Sequence, residues 1–357
     1  MVVNKEFWKG KRVFITGHTG FKGSWLVIWL SRMGAKVSGY SKYFPSKPSM
    51  FEALQLSEIM EYSFVGDICN DKDLAEKLHL VDPEIIIHLA AQPLVFHSYL
   101  DPIATFQTNA IGTAILLEQV RKLQNTKVVC NVTSDKCYQN DQYNNFFHED
   151  DKLGGNDPYS SSKACAELIM QSYNRSFFCD MEISVFSVRS GNVLGGGDWG
   201  QNRLIPDIIR FLMGEKTLEI RGSENSRPWQ HVLEPLRGYL IACQEGYYNP
   251  GSFNESWNFG PSSRNNVKVK DLVNSIAKIW GVKFDSNIFV TNDYHEAKSL
   301  CINANKAKKE LNWEIIWGVN RTLNETIEWY KAFENRAEML SFSEKQIDQY
   351  IKETNIN

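Results

Sequence analysis

The sequence predicts an α/β protein: an open, doubly wound parallel sheet followed by a smaller mixed α/β C-terminal domain. Three observations lead there. Short apolar runs alternate with helical stretches from Lys11 to Val188, which is how β-α-β units read when they build a parallel sheet with helices on both faces. A glycine triplet, Gly17-His-Thr-Gly20-Phe-Lys-Gly23, stands between the first apolar run and the first helical stretch. After Arg189 the texture changes to glycine-rich loops, short strands and arginines. The expected division is 1–190 for the first domain, with 233–260 returning to it, and 191–357 mainly for the second.

The elements follow in order. Lys11–Thr16 is a buried strand, and Ser24–Met33 is the helix after the glycines. That strand, turn and helix begin a Rossmann-type dinucleotide-binding unit. The glycines permit a tight turn and close approach to a pyrophosphate, and the helix N-terminus faces the phosphates. Ala35–Tyr40 is the second strand; it ends in Tyr40-Ser41-Lys42, without the acidic residue that usually reads the cofactor ribose. That leaves NAD and NADP equally open, with Lys42 placed to meet a 2′-phosphate. Tyr62–Gly66 is the third strand, tipped by Asp67-Ile68, and Asp71–Leu80 is a helix that Asp67 either caps or precedes as an adenine ligand. Glu84–Leu89 is the fourth strand and runs into Ala90-Ala91-Gln92-Pro93, small residues against which a cofactor can lie. Pro102–Lys122 is a long helix with Asn109 in its apolar interior, so a specific partner is expected for that amide. Lys127–Val132 and Met181–Val188 are further strands.

Beyond Arg189, Arg203–Arg210 reads as a short helix, Thr217–Arg221 and Ser226–Val232 as strands, Glu234–Gln244 as a helix and Ser256–Gly260 as a strand. Lys268–Trp280, Asn303–Leu311 and Thr322–Phe333 are helical, and Ser341–Asn357 is a polar tail, either a peripheral helix or disordered. Arg189, Arg203, Arg221 and Arg227 fall in this half; a guanidinium fork suits a diphosphate, and a surface ion pair is the commoner fate of any one of them.

Composition narrows the function. A net charge of −3 with mixed signs gives no footprint for nucleic acid or an anionic membrane. Seven scattered cysteines without a C-x-x-C pair read as reduced thiols in a cytoplasmic protein, and neither they nor the histidines suggest a metal centre. His97 and His295 read as structural. The N-terminus lacks a signal peptide's apolar core, and the run from Trp25 to Leu30 is too short to span a bilayer.

The chemistry concentrates between Val129 and Lys163. A strand delivers Thr133-Ser134-Asp135-Lys136, and a helix entered through Asp157-Pro158 carries Tyr159 and Lys163 on one face, one turn apart. An ammonium beside a phenol stabilises the phenolate, so Tyr159 is expected to take a proton from a sugar hydroxyl that Ser134 also hydrogen-bonds.

Taken together, Thr16-Gly-x-x-Gly-Phe-x-Gly23, Asp67-Ile68, His88-x-Ala-Ala91, Asn109, Ser134, Tyr159-x-x-x-Lys163 and Arg227 resemble the extended short-chain dehydrogenase/reductases that act on nucleotide sugars. Within that group the chain is similar to the CDP-glucose 4,6-dehydratases. The distinguishing runs are Gly17-His-Thr-Gly-Phe-Lys-Gly-Ser-Trp25, Ala91-Gln-Pro-Leu-Val95, Thr133-Ser-Asp-Lys-Cys-Tyr138, Leu194-Gly-Gly-Gly-Asp-Trp199 and Arg227-Pro-Trp-Gln-His-Val-Leu-Glu-Pro235.

The resemblance implies NAD as cofactor, against Gly17, Thr19, Gly20, Phe21, Lys22, Gly23, Asp67, Ile68, Leu89, Ala90, Ala91, Asn109, Tyr159 and Lys163. It implies CDP-glucose as substrate, near Gln92, Asn192, Arg203, Leu204, Arg221, Arg227 and Asn258, and a homodimer or homotetramer working in deoxysugar and O-antigen biosynthesis. Tyr159 would take the 4-hydroxyl proton while C4 gives a hydride to NAD; Asp135 would protonate the departing 6-hydroxyl; the hydride would return to C6. The related dTDP-glucose and GDP-mannose enzymes carry Asp-Glu where this chain has Asp135-Lys136, which leaves the C5 base open, with Lys136 or a water that it positions as the candidate. A nucleotide-sugar epimerase or reductase, another sugar nucleotide, and a non-catalytic dinucleotide scaffold are the competing readings.

Overall fold

The computed structural model describes residues 1–140, 146–215, 217–261, 266–290 and 300–354. His295 lies outside them. Seven strands form one parallel sheet: β1 (Arg12–Thr16), β2 (Lys36–Ser41), β3 (Tyr62–Val65), β4 (Ile85–His88), β5 (Val128–Val132), β6 (Ser184–Ser190) and β7 (Ser256–Phe259). Their spatial order is β7-β6-β5-β4-β1-β2-β3. The order reverses between β1 and β4, and that crevice at the carboxyl ends of the strands is where open α/β sheets bind ligands.

The strands read as unbroken apolar runs because both faces are covered. Alternate residues go to opposite layers: Val13, Ile15, Ile85, Ile87, Val128 and Cys130 join one core, and Phe14, Ile86 and Val129 the other. Helix α1 (Phe21–Arg32) is buried from Gly23 to Leu30, on all sides. A helix apolar all round must be covered all round, and here the cover opposite the sheet comes from the C-terminus.

The second layer holds α2 (Asp71–Val81), α3 (Pro102–Phe106), α4 (Gly112–Val120) and α5 (Pro158–Tyr173). The expected long helix at 102–122 is interrupted by a wider π turn over Gln107–Ile111, which turns Asn109 inward. Beyond the sheet, α6 (Leu204–Leu212), α7 (Leu233–Tyr248), α8 (Val269–Trp280), α9 (Val319–Glu334) and α10 (Met339–Thr354) alternate with short strand pairs. The strand expected over 217–221 is only Ile220–Arg221, and that expected over 226–232 is broken at Trp229 into Ser226–Pro228 and Gln230–His231. No helix among the described residues is long and apolar enough to cross a membrane.

The polar tail is neither peripheral nor disordered through Thr354. Helix α10 buries Met339, Ile347 and Tyr350, and the Tyr350 ring meets Trp29 edge-on. The Tyr350 hydroxyl donates to Glu234 Oε2 at 2.6 Å, while Glu234 Oε1 accepts the amides of Ile316 and Trp317 at 3.1 and 2.7 Å. Glu234 is wholly buried, and burial pushes its carboxyl up to about 7, against the pull of those hydrogen bonds and of Arg237. The native state therefore keeps a proton that the unfolded chain releases nearer the ordinary carboxylate range. The group's contribution to stability is fully present below that range and falls as pH rises towards about 7. Glu234→Gln, which cannot ionise, is expected to flatten that decline; unfolding midpoints at pH 5 and pH 8 for both proteins check it. An equal pH slope in the variant contradicts the assignment.

Candidate active site

The carboxyl ends of β1 to β6 supply the site. At β1, Gly17 has φ +77°, and a Cβ there would lie 2.7 Å from Ala90 N. Only glycine lets the β4 loop, Leu89-Ala90, press against this turn. A Cβ on Gly23 would lie 2.3 Å from Gly17 O, so the turn also packs on its own helix. Gly20 is the N-cap of α1 and offers no side-chain cap, which leaves the first-turn amides of a twelve-residue helix for an anion. This cradle fits a dinucleotide pyrophosphate. Thr19 is tied down beside it, its hydroxyl donating to Tyr43 O at 2.8 Å.

At β2 and β3, Lys42 and Asp67 pair with each other at 2.7 Å, which the separate readings of the two residues missed. Burial alone would raise the Asp67 carboxyl, but Lys42 and the Cys69 amide hold it below its ordinary value. His18 bridges Ser41 and Ser63 at 2.9 and 2.8 Å, and burial pulls it down to about 4. Ile68 packs under Gly112, where a Cβ would meet it at 2.7 Å.

Asn109 finds the partners its position demanded. Its Oδ1 accepts Gln92 N at 2.8 Å, and its Nδ2 donates to Gln92 O and to Ser162 Oγ at 3.1 and 2.8 Å. One amide thus staples the Ala91-Gln92 loop to α5. The Gln92 side chain is itself engaged with Leu94 in that loop and with Thr105 of α3.

Helix α5 starts at Asp157, whose carboxylate caps Ser160 N at 2.9 Å, with Pro158 in the first turn. It carries Tyr159, Lys163 and Glu167 on one face. Ser134 donates to Asp135 Oδ1 at 3.0 Å, and its hydroxyl is the nearest influence drawing the Tyr159 phenol down. Lys163 Nζ donates to Val132 O at 3.3 Å. The expectation that Lys163 makes Tyr159 acidic is not met by the chain's own atoms. Burial pushes the phenol up to about 12; the opposing pull comes from the Ser134 hydroxyl and then Arg203. Burial also brings Lys163 down to about 8. Desolvation wins at both because the site is closed from water.

Asp135 is buried, and burial raises its carboxyl while Lys136, Ser134, Arg227 and Lys22 pull it down. Lys22 reaches the same cluster from α1: its Nζ donates to Ser190 Oγ at 2.7 Å and Tyr239 Oη at 3.2 Å, and burial lowers it to about 7. Lys22 therefore stands with the catalytic candidates as well as in the glycine turn. Arg203, at the N-cap of α6 ahead of half-buried Leu204, pairs with Asp198 at 3.0 Å. Asn192 lies half-buried just past β6, next to Gly191, whose Cβ would sit 3.0 Å from Asp135 Oδ2.

Asn258 and Arg189 are not brought there. Asn258 is wholly buried, with its backbone N on Glu149, Oδ1 on Tyr138 and Nδ2 on Phe147, so its side chain is turned into the protein rather than towards a substrate. Arg221 is exposed on a two-residue strand. Arg189 faces no crevice: it is fully buried, paired with Glu167 at 2.7 Å. Glu167 also accepts from Thr133 and Ser187, so this pair anchors β5, β6 and α5 behind the catalytic residues. Sequence reasoning missed Glu167, although its place one turn beyond Lys163 was a signal. Nothing in the sequence marked Tyr239. Among the described residues no group of three or more His, Cys, Asp or Glu side chains is placed to hold a metal.

Residues 14–326 match the model of the family described as GDP-mannose 4,6 dehydratase. The chain is 44% identical to the CDP-glucose 4,6-dehydratase of Salmonella typhimurium over 99% of each chain. It resembles the crystal structure of dTDP-glucose 4,6-dehydratase from Bacillus anthracis in complex with NAD, with a TM-score of 0.76, 26% identity, and 92% and 99% of the two chains covered. It shares its fold with UDP-glucose 4-epimerase from Thermotoga maritima, with a TM-score of 0.79, 22% identity, and 90% and 99% covered.

Proposed function

The chain belongs to the GDP-mannose 4,6-dehydratase family, and on that footing we propose that it converts CDP-D-glucose to CDP-4-dehydro-6-deoxy-D-glucose and water, with NAD as its resident cofactor. The nucleobase assignment is supported by the 44% identity to the Salmonella enzyme over nearly the whole of both chains. Dehydration, rather than epimerisation, is carried by one observation: Asp135, a buried carboxyl raised by desolvation, stands hydrogen-bonded to Ser134 beside Tyr159. An epimerase has no use for an acid there.

When bound, the nicotinamide supplies a two-electron store that takes a hydride from C4 and returns it to C6. Gly17, Gly20 and Gly23 cradle its diphosphate, with Thr19, Phe21 and Lys22 in the same turn. Asp67 and Ile68 would flank the adenine, Leu89, Ala90 and Ala91 would line the path between, and Asn109 holds that loop in place. Tyr159 accepts the 4-hydroxyl proton, Ser134 orients that hydroxyl, and Lys163 holds the nicotinamide ribose. Asp135 protonates the 6-hydroxyl as it leaves. Lys136, half-buried beside Asp135, takes the C5 proton or positions the water that does. Arg203, Arg227, Asn192 and Leu204 face the sugar nucleotide.

CDP-glucose carrying deuterium at C4 tests the reading. The label is expected at C6 of the same product molecule. Label lost to solvent, or product formed only from another nucleotide's sugar, rules it out.

We place the protein in the cytoplasm, where its free cysteines stay reduced, and expect it to associate with copies of itself. Ile103, Ile111 and Leu168 are 67, 52 and 54% exposed on the neighbouring segments α3, 107–111 and α5. Light scattering of the purified protein decides this; a monomer at micromolar concentration would refute it.

A further inference from the structure

We propose that the ion pair between Lys42 and Asp67 selects NAD over NADP: Asp67 supplies from the end of β3 the carboxylate that β2 lacks, and it holds Lys42 away from a 2′-phosphate. The inference rests on the reading of the chain as a dinucleotide enzyme and adds how it tells two dinucleotides apart.

In an open sheet of this kind a carboxylate at the end of the second strand accepts the 2′-hydroxyl of the cofactor ribose, and a cation nearby takes the 2′-phosphate of NADP instead. Here β2 runs out into Tyr40-Ser41-Lys42, and no acidic residue occurs from Lys36 to Phe51. Along that strand alone, the end suits NADP at least as well as NAD. The neighbouring strand changes its charge. β2 and β3 are parallel with Ser41 opposite Val65, and the Gly66 amide donates to Ser41 O at 2.9 Å, so the chain leaves β3 at Asp67 beside Lys42. Lys42 Nζ lies 2.7 Å from Asp67 Oδ2. Asp67 Oδ1 accepts the Cys69 amide at 3.0 Å, which fixes the carboxylate against its own turn.

The other side chains at this end of β2 are committed. Ser41 Oγ meets His18 Nδ1 at 2.9 Å and accepts the Thr19 amide at 3.3 Å. The Tyr40 hydroxyl hydrogen-bonds Asp67 O at 3.0 Å and Asp73 Oδ2 at 2.7 Å. Both residues are buried, whereas the side chains of Lys42 and Asp67 are 63 and 34% exposed. The pair is therefore what this edge presents to a ribose. A ribose hydroxyl donates to a carboxylate and accepts from an ammonium, so the pair receives it intact. A 2′-phosphate must draw Lys42 off Asp67, and it then faces that carboxylate with like charge. NADP is refused by an opposed charge, not by the lack of a cation.

The test is displacement of radiolabelled NAD from the full-length holoenzyme by NADP and by unlabelled NAD. An ion pair this exposed contributes little to stability, so its variants are expected to fold, and Asp67→Asn keeps an oxygen for the Cys69 amide. That variant is expected to shift the ratio of the two displacing concentrations about tenfold towards NADP. The ratio cancels any change in adenine binding, because both cofactors carry the adenine. Adding Lys42→Ala is expected to abolish the gain, since the released ammonium is what takes the phosphate. An unchanged ratio in Asp67→Asn overturns the proposal, and so does a double variant that keeps the gain. Product analysis with CDP-glucose is run separately: absence of a 4-keto-6-deoxy sugar defeats the dehydratase reading, while the displacement ratios still decide this one.

Discussion

Tyr159→Phe is expected to lower kcat on CDP-glucose by about 10²- to 10⁴-fold, the usual contribution of a positioned acid–base group. Phenylalanine keeps the ring, which is buried, and removes only the hydroxyl that stands beside Ser134. The glycine turn, the Asn109 staple and the Lys163 bond to Val132 O do not pass through that hydroxyl. Cofactor and substrate affinity should therefore change little, and the loss should appear in kcat rather than KM. Single-turnover absorbance of the reduced nicotinamide, together with equilibrium binding of NAD, separates the two. A variant that still oxidises C4 at the wild-type rate would remove Tyr159 from the chemistry.

Arg189→Met is expected to destabilise the fold by about 3–5 kcal/mol, because it strands the Glu167 carboxylate without its cation. Both side chains are fully buried. Burial works against the Glu167 charge, and Arg189 is the strongest influence holding that carboxyl below its ordinary range. The same guanidinium reaches the Tyr138 hydroxyl at 2.7 Å and Glu149 O at 2.8 Å, so its loss also frees the chain beyond Asp135. Denaturant unfolding measures the effect as a drop in midpoint at constant slope. Adding Glu167→Leu should recover part of the loss, since a neutral pair no longer leaves a charge in the core. A single variant within 1 kcal/mol of wild type would show that the pair does not anchor these strands.

The fold was legible where one local rule decided it. β1, β4 and β5 announce themselves because strands covered on both faces must be apolar throughout, and the glycine turn because no other residue permits the approach of Ala90 to Gly17. Tyr159 and Lys163 were legible from helical spacing. What stayed hidden depended on which distant groups meet. The tail reads as a peripheral helix or as disordered because its buried contacts, Tyr350 with Glu234 and Trp29, come from residues far away in sequence. Asn258 was read as a ligand because an asparagine at a strand end looks the same whether it faces a crevice or, as here, Tyr138 and Phe147.

By itself the sequence determined the parallel sheet, the cradle at the first turn and the residue types that handle hydride and proton, since each follows from spacing along a few consecutive residues. Only the tertiary structure decided how those residues are charged. Lys22 and Arg203 come from separate elements to join Asp135 and Tyr159, and burial raises the phenol that an isolated helix would have let Lys163 acidify. Spacing along a chain carries position, whereas desolvation is a property of everything that closes around a group.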